Sequence, residues 1–182
     1  MMEYIAALDM RILESLYAAR DLNVAYSAIW LSELGRAWTI YGLAVCIALA
    51  LFLRQHYAYA TGLAISVATS GVAILLLKGL AQRPRPPEHF QAYLEIWYSF
   101  PSAHAALAMA FYGFLAYLAW RSLGQTPLRY LAVSSLFLLI LLVSFTRIYL
   151  GVHWASDVVA GLVLGTVCAW LGVRWVRFAQ RS

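Results

Sequence analysis

The sequence predicts an all-α fold: a polytopic membrane bundle of about five transmembrane helices, six if an N-terminal segment inserts, preceded by an interfacial amphipathic helix. Three observations carry that prediction. Of the 182 residues, 64% are hydrophobic and 12% charged, with a mean hydropathy of +0.75; a soluble domain carries about 25% charged residues. Five segments lack Lys, Arg, Asp and Glu over lengths that cross, or nearly cross, roughly 30 Å of hydrocarbon. Trp38, Tyr57, Trp120, Tyr130, Trp154 and Trp175 stand near the ends of these runs, as an interfacial aromatic belt would.

In chain order, the first 36 residues differ from the rest. Ile5, Leu8, Ile12, Leu13 and Leu16 recur at helical spacing, with Glu3, Asp9, Arg11 and Glu14 elsewhere around the wheel, which predicts a helix lying in the interface. The acidic start and those interrupting charges exclude a secretory signal, so the spans themselves direct insertion. Val24–Leu34 is apolar but too short to span. The predicted spans follow at Ala37–Leu53, Gln55–Leu77, Ala103–Trp120, Tyr130–Thr146 and Val158–Val173, the last lengthened if it begins at Trp154. Short connections make neighbouring helices antiparallel. Only Lys78–Pro101 is a substantial loop, and its Arg-Pro-Arg-Pro-Pro run is extended. With no internal repeat, 1–182 reads as a single domain: 1–34 as the interfacial region and 35–178 as the transmembrane core. Cys46 and Cys168 lie far apart in apolar runs and read as small packing residues.

The net charge of +5 is distributed rather than diffuse. Arg54, Arg121, Arg129, Arg174, Arg177 and Arg181 fall on one side of the expected bilayer with no acid, while all eight Asp and Glu residues fall on the other. The positive-inside bias puts the arginine side and the C-terminus in the cytoplasm. The excess arginine is thereby a topology signal, which excludes a nucleic-acid partner. The expected location is the cell inner (plasma) membrane, multi-pass; no feature fixes an oligomeric state.

The opposite, extracytoplasmic side gathers Lys78 and Arg85 after the second span, Ser102 and His104 at the start of the third, Arg147 at the end of the fourth, and His153 and Asp157 before the fifth. Singly, each has an ordinary explanation: snorkelling flanks, an interfacial histidine, a structural ion pair. Their convergence on the face away from the topogenic arginines marks a functional site. Phosphoryl transfer suits these groups, because it needs positive charge around three equatorial oxygens and in-line positioning. Lys78, Arg85 and Arg147 supply the charge. Pro101-Ser102-Ala103 reads as a helix start whose free N–H groups and Ser102 hydroxyl add an anion site. His153 and Asp157, four apart, share a helix face, so the carboxylate can hold one ring nitrogen protonated and free the other as a nucleophile. His104, on another helix, can serve as acid and then base.

These residues make up Lys78-(six residues)-Arg85-Pro86, then Pro101-Ser102-Ala103-His104, then Arg147-(five residues)-His153-(three residues)-Asp157. That arrangement resembles the three-part signature of the type 2 phosphatidic acid phosphatase superfamily, which also includes vanadium haloperoxidases and bacterial class A acid phosphatases. The resemblance implies a helical, metal-independent phosphatase with no cofactor. It implies that His153 forms a phosphohistidine oriented by Asp157, that His104 protonates the leaving group, and that Lys78, Arg85, Ser102, Arg147 and the backbone at Ala103 hold the phosphate. Membrane members act on lipid phosphates and diphosphates at the outer face; undecaprenyl diphosphate, phosphatidylglycerophosphate and phosphatidate are the expected substrate types. Ala103 stands where the second motif usually has glycine, and Thr146 where the third usually opens with serine. Arg83 lies outside the signature, as an accessory contact or a plain loop charge. The short Lys78–Pro101 loop predicts a site open sideways to lipid rather than roofed over. A lipid phosphotransferase using the same phosphohistidine is the alternative, and a non-catalytic lipid-phosphate binder a third reading.

Overall fold

The computed structural model describes residues 2–181, and among them no strand occurs. The helices are α1 (Met2–Ala18), α2 (Leu22–Glu33), α3 (Ala37–Leu53), α4 (Tyr57–Ala81), α5 (Ala103–Ser122), α6 (Pro127–Tyr149) and α7 (Ala155–Ala179), with a 3-10 turn at Glu88–Phe90 between α4 and α5. Local chemistry sets several boundaries. Asp21 caps α2 by accepting the N–H groups of Asn23 and Val24 at 2.8 and 3.1 Å. Pro127 opens α6 where its missing N–H costs nothing. α4 ends at Gln82, whose left-handed φ of 45° and the nearby Pro84 stop the helix. It runs four residues beyond the expected Leu77, so Lys78 sits on its last turn rather than in a loop.

Helices α4 to α7 are each long and apolar enough to cross a membrane. α3, with 17 residues, meets that test only together with α2, across a 40° bend at the intervening break. The segment expected to be too short to span is therefore half of a bent pair with the first predicted span. α2 also packs against α6.

α5 is the central helix and is apolar nearly all round, as a helix enclosed by others must be. Its Leu107, Phe111 and Phe114 join Ile40 of α3, Leu63 and Val67 of α4, Ile140 and Val143 of α6 and Val176 of α7 in one buried cluster. Lipid is as apolar as these side chains, so close packing rather than water exclusion drives helix association in the bilayer. Small residues make that packing possible. A Cβ on Gly161 or Gly165 of α7 would come within 2.6 Å of Ser102 O or 2.4 Å of Ala106 O, so α5 and α7 lie backbone to backbone. Some polar groups inside the bundle tie helices together: Ser66 Oγ donates to Ala110 O at 2.8 Å and Tyr112 OH to Leu34 O at 2.9 Å.

Two expectations change in α1. Leu13 is buried, but Ile5 and Leu8 face outward, and Asp9, expected on the solvated side of the wheel, is only 3% exposed. α1 lies against α6 and α7 through Asp9 and Leu13, which share a face as i and i+4. The belt residues Trp38, Tyr57, Trp120, Tyr130 and Trp175 are exposed as expected, but Trp154 is drawn inward. Cys168 packs inside the bundle, whereas Cys46 faces outward.

Candidate active site

The end of the bundle that carries the motifs is assembled from helix termini. Lys78 comes from the last turn of α4, Ser102 and His104 from the start of α5, Arg147 from the last turn of α6, and Asp157 from the first turn of α7, with His153 in the α6–α7 connection. That connection turns on Gly151. Its φ is +70°, and a Cβ there would meet Phe90 O at 2.1 Å, so both the conformation and the neighbouring 3-10 turn demand glycine. The N–H groups of Val152 and His153 both donate to Arg147 O at 3.2 Å, which folds the third motif back upon itself.

His153 is 2% exposed and lies between two groups of opposite character. Nδ1 faces Asp157 Oδ2 at 3.5 Å, an ion-pair distance too long to count as a formed hydrogen bond. Nε2 faces Arg85 Nη1 at 3.3 Å. A guanidinium can only donate, so Nε2 is the acceptor and the ring proton belongs on Nδ1, toward the carboxylate. Burial, and then the positive charges of Arg147, Arg85 and Lys78, push the imidazole well below the ordinary histidine range, keeping it neutral with a free lone pair on Nε2. Asp157, wholly buried, uses both oxygens: Oδ2 accepts the Trp154 N–H at 3.0 Å and Oδ1 accepts Arg83 Nη1 at 2.6 Å.

The cations are held around an anionic group of the chain itself. Glu95, in the α4–α5 connection, places Oε1 2.9 Å from Arg147 Nη2 and Oε2 3.4 Å from Arg85 Nη2. One carboxylate thus bridges the two guanidiniums, an arrangement that an oxyanion with two free oxygens could also satisfy. Arg147 is wholly buried; its Nη1 donates to Ser32 Oγ of α2 and to Tyr93 OH. Arg85 donates through Nη1 to Val152 O at 2.7 Å and through Nε to Trp97 O, and burial lowers its pKa from the ordinary arginine value against the opposing pull of Glu95. Lys78 donates to Tyr98 O. Against the expectation of an unroofed site, Tyr93, Glu95, Trp97 and Tyr98 thus fold over the cations. Buried cations need acceptors, and this connection supplies most of them, with Ser32 and Val152 O adding the rest.

The site does open at its flank. A cavity of about 360 Å³ is lined by Lys78, Arg85, Glu95, His104 and His153 together with Tyr41 of α3, Ile74 and Leu75 of α4 and Leu107 of α5. Tyr41 and Leu75 are also exposed on the outer surface. Ala103 also lines it and has none of the positive φ that favours glycine, so alanine brings no backbone strain there. Ser102 caps α5 without a side-chain bond to it; its N–H donates to Asp157 O at 3.0 Å. Ser102 Oγ and Arg147 Nε are buried donors with no hydrogen-bond partner, as ligand-handling groups often are. The Thr146 hydroxyl is spent on Val143 O at 2.6 Å.

Sequence reasoning missed Asp9, Ser32, Tyr93 and Glu95, and left Arg83 open between two roles. One signal was available: Asp9, Leu13 and Leu16 recur at i, i+4 and i+7, which puts an acid on a buried stripe. The structure gives Arg83 a definite role, since it grips Asp157. Among the described residues, no group of three or more His, Cys, Asp or Glu is arranged to hold a metal ion.

Two solved structures share this architecture. A transmembrane PAP2 type phosphatidylglycerolphosphate phosphatase from Bacillus subtilis superposes with a TM-score of 0.88 at 22% identity, covering 96% of this chain and 87% of that one. LpxE of Aquifex aeolicus gives 0.73 at 24% identity, covering 92% and 95%. In sequence, the undecaprenyl-diphosphatase of Sulfolobus acidocaldarius is 33% identical over 81 residues, 42% of this chain and 33% of that protein. Matched stretches span about a third of the curated relatives' own length. A family model for the PAP2 superfamily matches residues 56–181, a stretch that holds all three motifs and every helix from α4 onward; the chain belongs to the PAP2 superfamily.

Proposed function

We propose that the chain is an integral-membrane lipid phosphatase that hydrolyses a lipid phosphate monoester or diphosphate through a phosphohistidine on His153. One observation carries the reading. A buried neutral imidazole turns Nε2 toward Arg85, which with Arg147 already brackets a carboxylate, beside a cavity also lined by apolar side chains of α3 and α4 that reach the outer surface. A phosphate headgroup suits the polar side, and the first part of a hydrocarbon chain suits the other.

In the proposed cycle the phosphoryl group displaces Glu95 and takes its place on Arg85 and Arg147, with Lys78 and the Ser102 hydroxyl as further donors. His153 Nε2 forms a P–N bond as the lipid P–O bond breaks, and His104, protonated as imidazolium beside the bound phosphate anion, gives that proton to the leaving oxygen and becomes neutral. Asp157 stabilises the charge that develops on the imidazole. His104 then takes a proton from water as the water oxygen attacks phosphorus; the P–N bond breaks and phosphate leaves. The six arginines at the other end, with no acid among them, support a cytoplasmic C-terminus and a site on the extracytoplasmic face.

The test is phosphate release by purified protein from phosphatidate, phosphatidylglycerophosphate and undecaprenyl diphosphate in detergent with EDTA present. Turnover of at least one lipid is expected, with His153→Ala lowering kcat on the order of 10⁴-fold or more. Wild-type rates in His153→Ala would end the mechanism.

A further inference from the structure

We infer that Asp9 of α1 and Arg83 form a positioning relay that sets Asp157, and through it the nucleophile, so that the N-terminal helix is part of the catalytic scaffold. The inference rests on the reading of His153 and Asp157 given above.

The contacts are continuous. Arg83 Nη1 donates to Asp157 Oδ1 at 2.6 Å and to Ser156 Oγ at 2.7 Å, while Nη2 donates to Asp9 Oδ2 at 2.8 Å. Ser156 completes the ring: its N–H donates to Asp9 Oδ1 at 2.9 Å and its hydroxyl to Asp9 Oδ2. One guanidinium thus bridges two carboxylates from opposite ends of the sequence, 3% and 0% exposed. Buried carboxylates persist only when paired, and the fork of an arginine is the side chain able to satisfy both at once.

The Arg83 backbone is pinned after the left-handed Gln82, where its carbonyl accepts the Ser99 N–H at 2.9 Å and the Ser99 hydroxyl at 3.2 Å. Beyond Asp9, Asp157 and Ser156, its guanidinium has only the ring of Trp154, 5.5 Å from the guanidinium carbon. The Trp154 indole is tied in turn to Pro84 O at 3.0 Å. Removing Asp9 leaves Arg83 with a single anionic partner. Removing Arg83 leaves Asp157 Oδ1 and Asp9 Oδ2 without their charged donor, and Asp157 is then left with neutral partners only, the Trp154 N–H and the Ser99 hydroxyl. Neither Asp9 nor Arg83 lines the flank cavity, although Arg83 borders a second opening together with Arg85 and Glu95. Both guanidinium nitrogens of Arg83 are engaged by Asp157, Ser156 and Asp9, so the relay acts mainly on the chemical step.

The experiment measures kcat and KM for phosphate release from phosphatidate and undecaprenyl diphosphate micelles by the full-length chain and its Asp9→Asn, Arg83→Gln, Arg83→Lys and Asp157→Asn variants. Arg83→Gln is expected to lower kcat roughly 10–100-fold, the range for partners that orient a working ligand, with KM within about twofold. Asp9→Asn should give a smaller loss of the same kind. Arg83→Lys should recover part of the rate, because an ammonium reaches Asp157 but does not bridge to Asp9 as well. In the Asp157→Asn background, Arg83→Gln should cost less than about threefold more, since the two act as a unit. Thermal unfolding in detergent checks that each variant is folded, and Arg83→Lys with Asp9→Asn carries the test if Arg83→Gln is not. Unchanged kcat in the folded variants, a loss confined to KM, or losses that multiply with Asp157→Asn would overturn the relay alone. No release by wild-type protein from any lipid phosphate overturns the phosphatase reading and the relay with it.

Discussion

At the motif end of the bundle Lys78, Arg83, Arg85 and Arg147 are each held by an oxygen from another element: Tyr98 O, Asp9 and Asp157, Glu95 and Val152 O, Ser32 and Tyr93. At the other end Arg54, Arg121, Arg174, Arg177 and Arg181 are exposed. Arg129 there is buried, but it lies over the rings of Trp120 and Tyr130, 4.1 and 5.0 Å from their centroids. The same residue type does two jobs because its partners differ. An arginine on a carboxylate can exchange that anion for a phosphate at little electrostatic cost. An arginine on an aromatic face has no anion to exchange, and its charge serves orientation and anchoring.

The largest contrast is between the two buried arginines, Arg147 and Arg129. Arg147→Gln removes a guanidinium that the reading above places on the transferring phosphoryl group, and it strands Glu95, Ser32 and Tyr93. The expected loss in kcat/KM is about 10²–10³-fold, as for removal of one donor to a transition-state oxyanion. A loss under tenfold would mean that Arg147 holds the loop rather than the phosphate. Steady-state kinetics on a detergent-solubilised lipid phosphate reads the difference.

A smaller effect tests how the motif end sets the charge state of its nucleophile. His153 is held below the ordinary histidine range by burial first, then by Arg147, Arg85 and Lys78. On the proposed mechanism the reactive form is the neutral imidazole, so activity is lost as pH falls through the His153 pKa. In kcat/KM, which reports the free enzyme, the acid limb should therefore lie below the ordinary histidine value of about 6.5. Arg85→Gln removes one of the repelling charges, which raises the His153 pKa and moves that limb to higher pH while the overall rate falls. A limb that stays fixed would show that burial alone sets the charge state.

How much of this was legible in the sequence follows from the range of the interactions. Lys78, His104, Arg147, His153 and Asp157 were legible because they stand at helix ends, where span boundaries and i, i+4 spacing fix which side of the bilayer they reach. Four of the five predicted spans are helices long enough to cross alone, with ends that differ by four residues in α4 and six in α7, and the first crosses only together with α2. Glu95, Ser32 and Tyr93 were not legible, because nothing local distinguishes a loop acid or a helical serine until α2, α6 and the α4–α5 connection pack together. Arg83 was undetermined because its role depends on Asp9, more than 70 residues away. The α2–α3 pair escaped because a bend at Gly35, where a Cβ would meet Val143 Cγ1 at 2.4 Å, is a tertiary requirement rather than a propensity.

The smallest effect belongs to the aromatic-held arginine, and it is the one that shows whether the two ends are independent. Arg129 donates to Tyr130 OH at 3.1 Å, and its Nε has no hydrogen-bond partner, so its environment is mainly the two rings. Arg129→Gln gives up the cation–π contacts, worth about 1–2 kcal/mol for a partly desolvated guanidinium, and should lower the thermal unfolding midpoint. Turnover at low temperature should change by less than about twofold, because a site well separated from the chemistry and sharing no partner with it contributes additively. A tenfold fall in kcat with the fold intact would mean that packing at the end away from the motifs is transmitted along α5 and α6 to His104 and Arg147. The bundle would then act as one lever rather than as an anchor and a site joined by a rigid core.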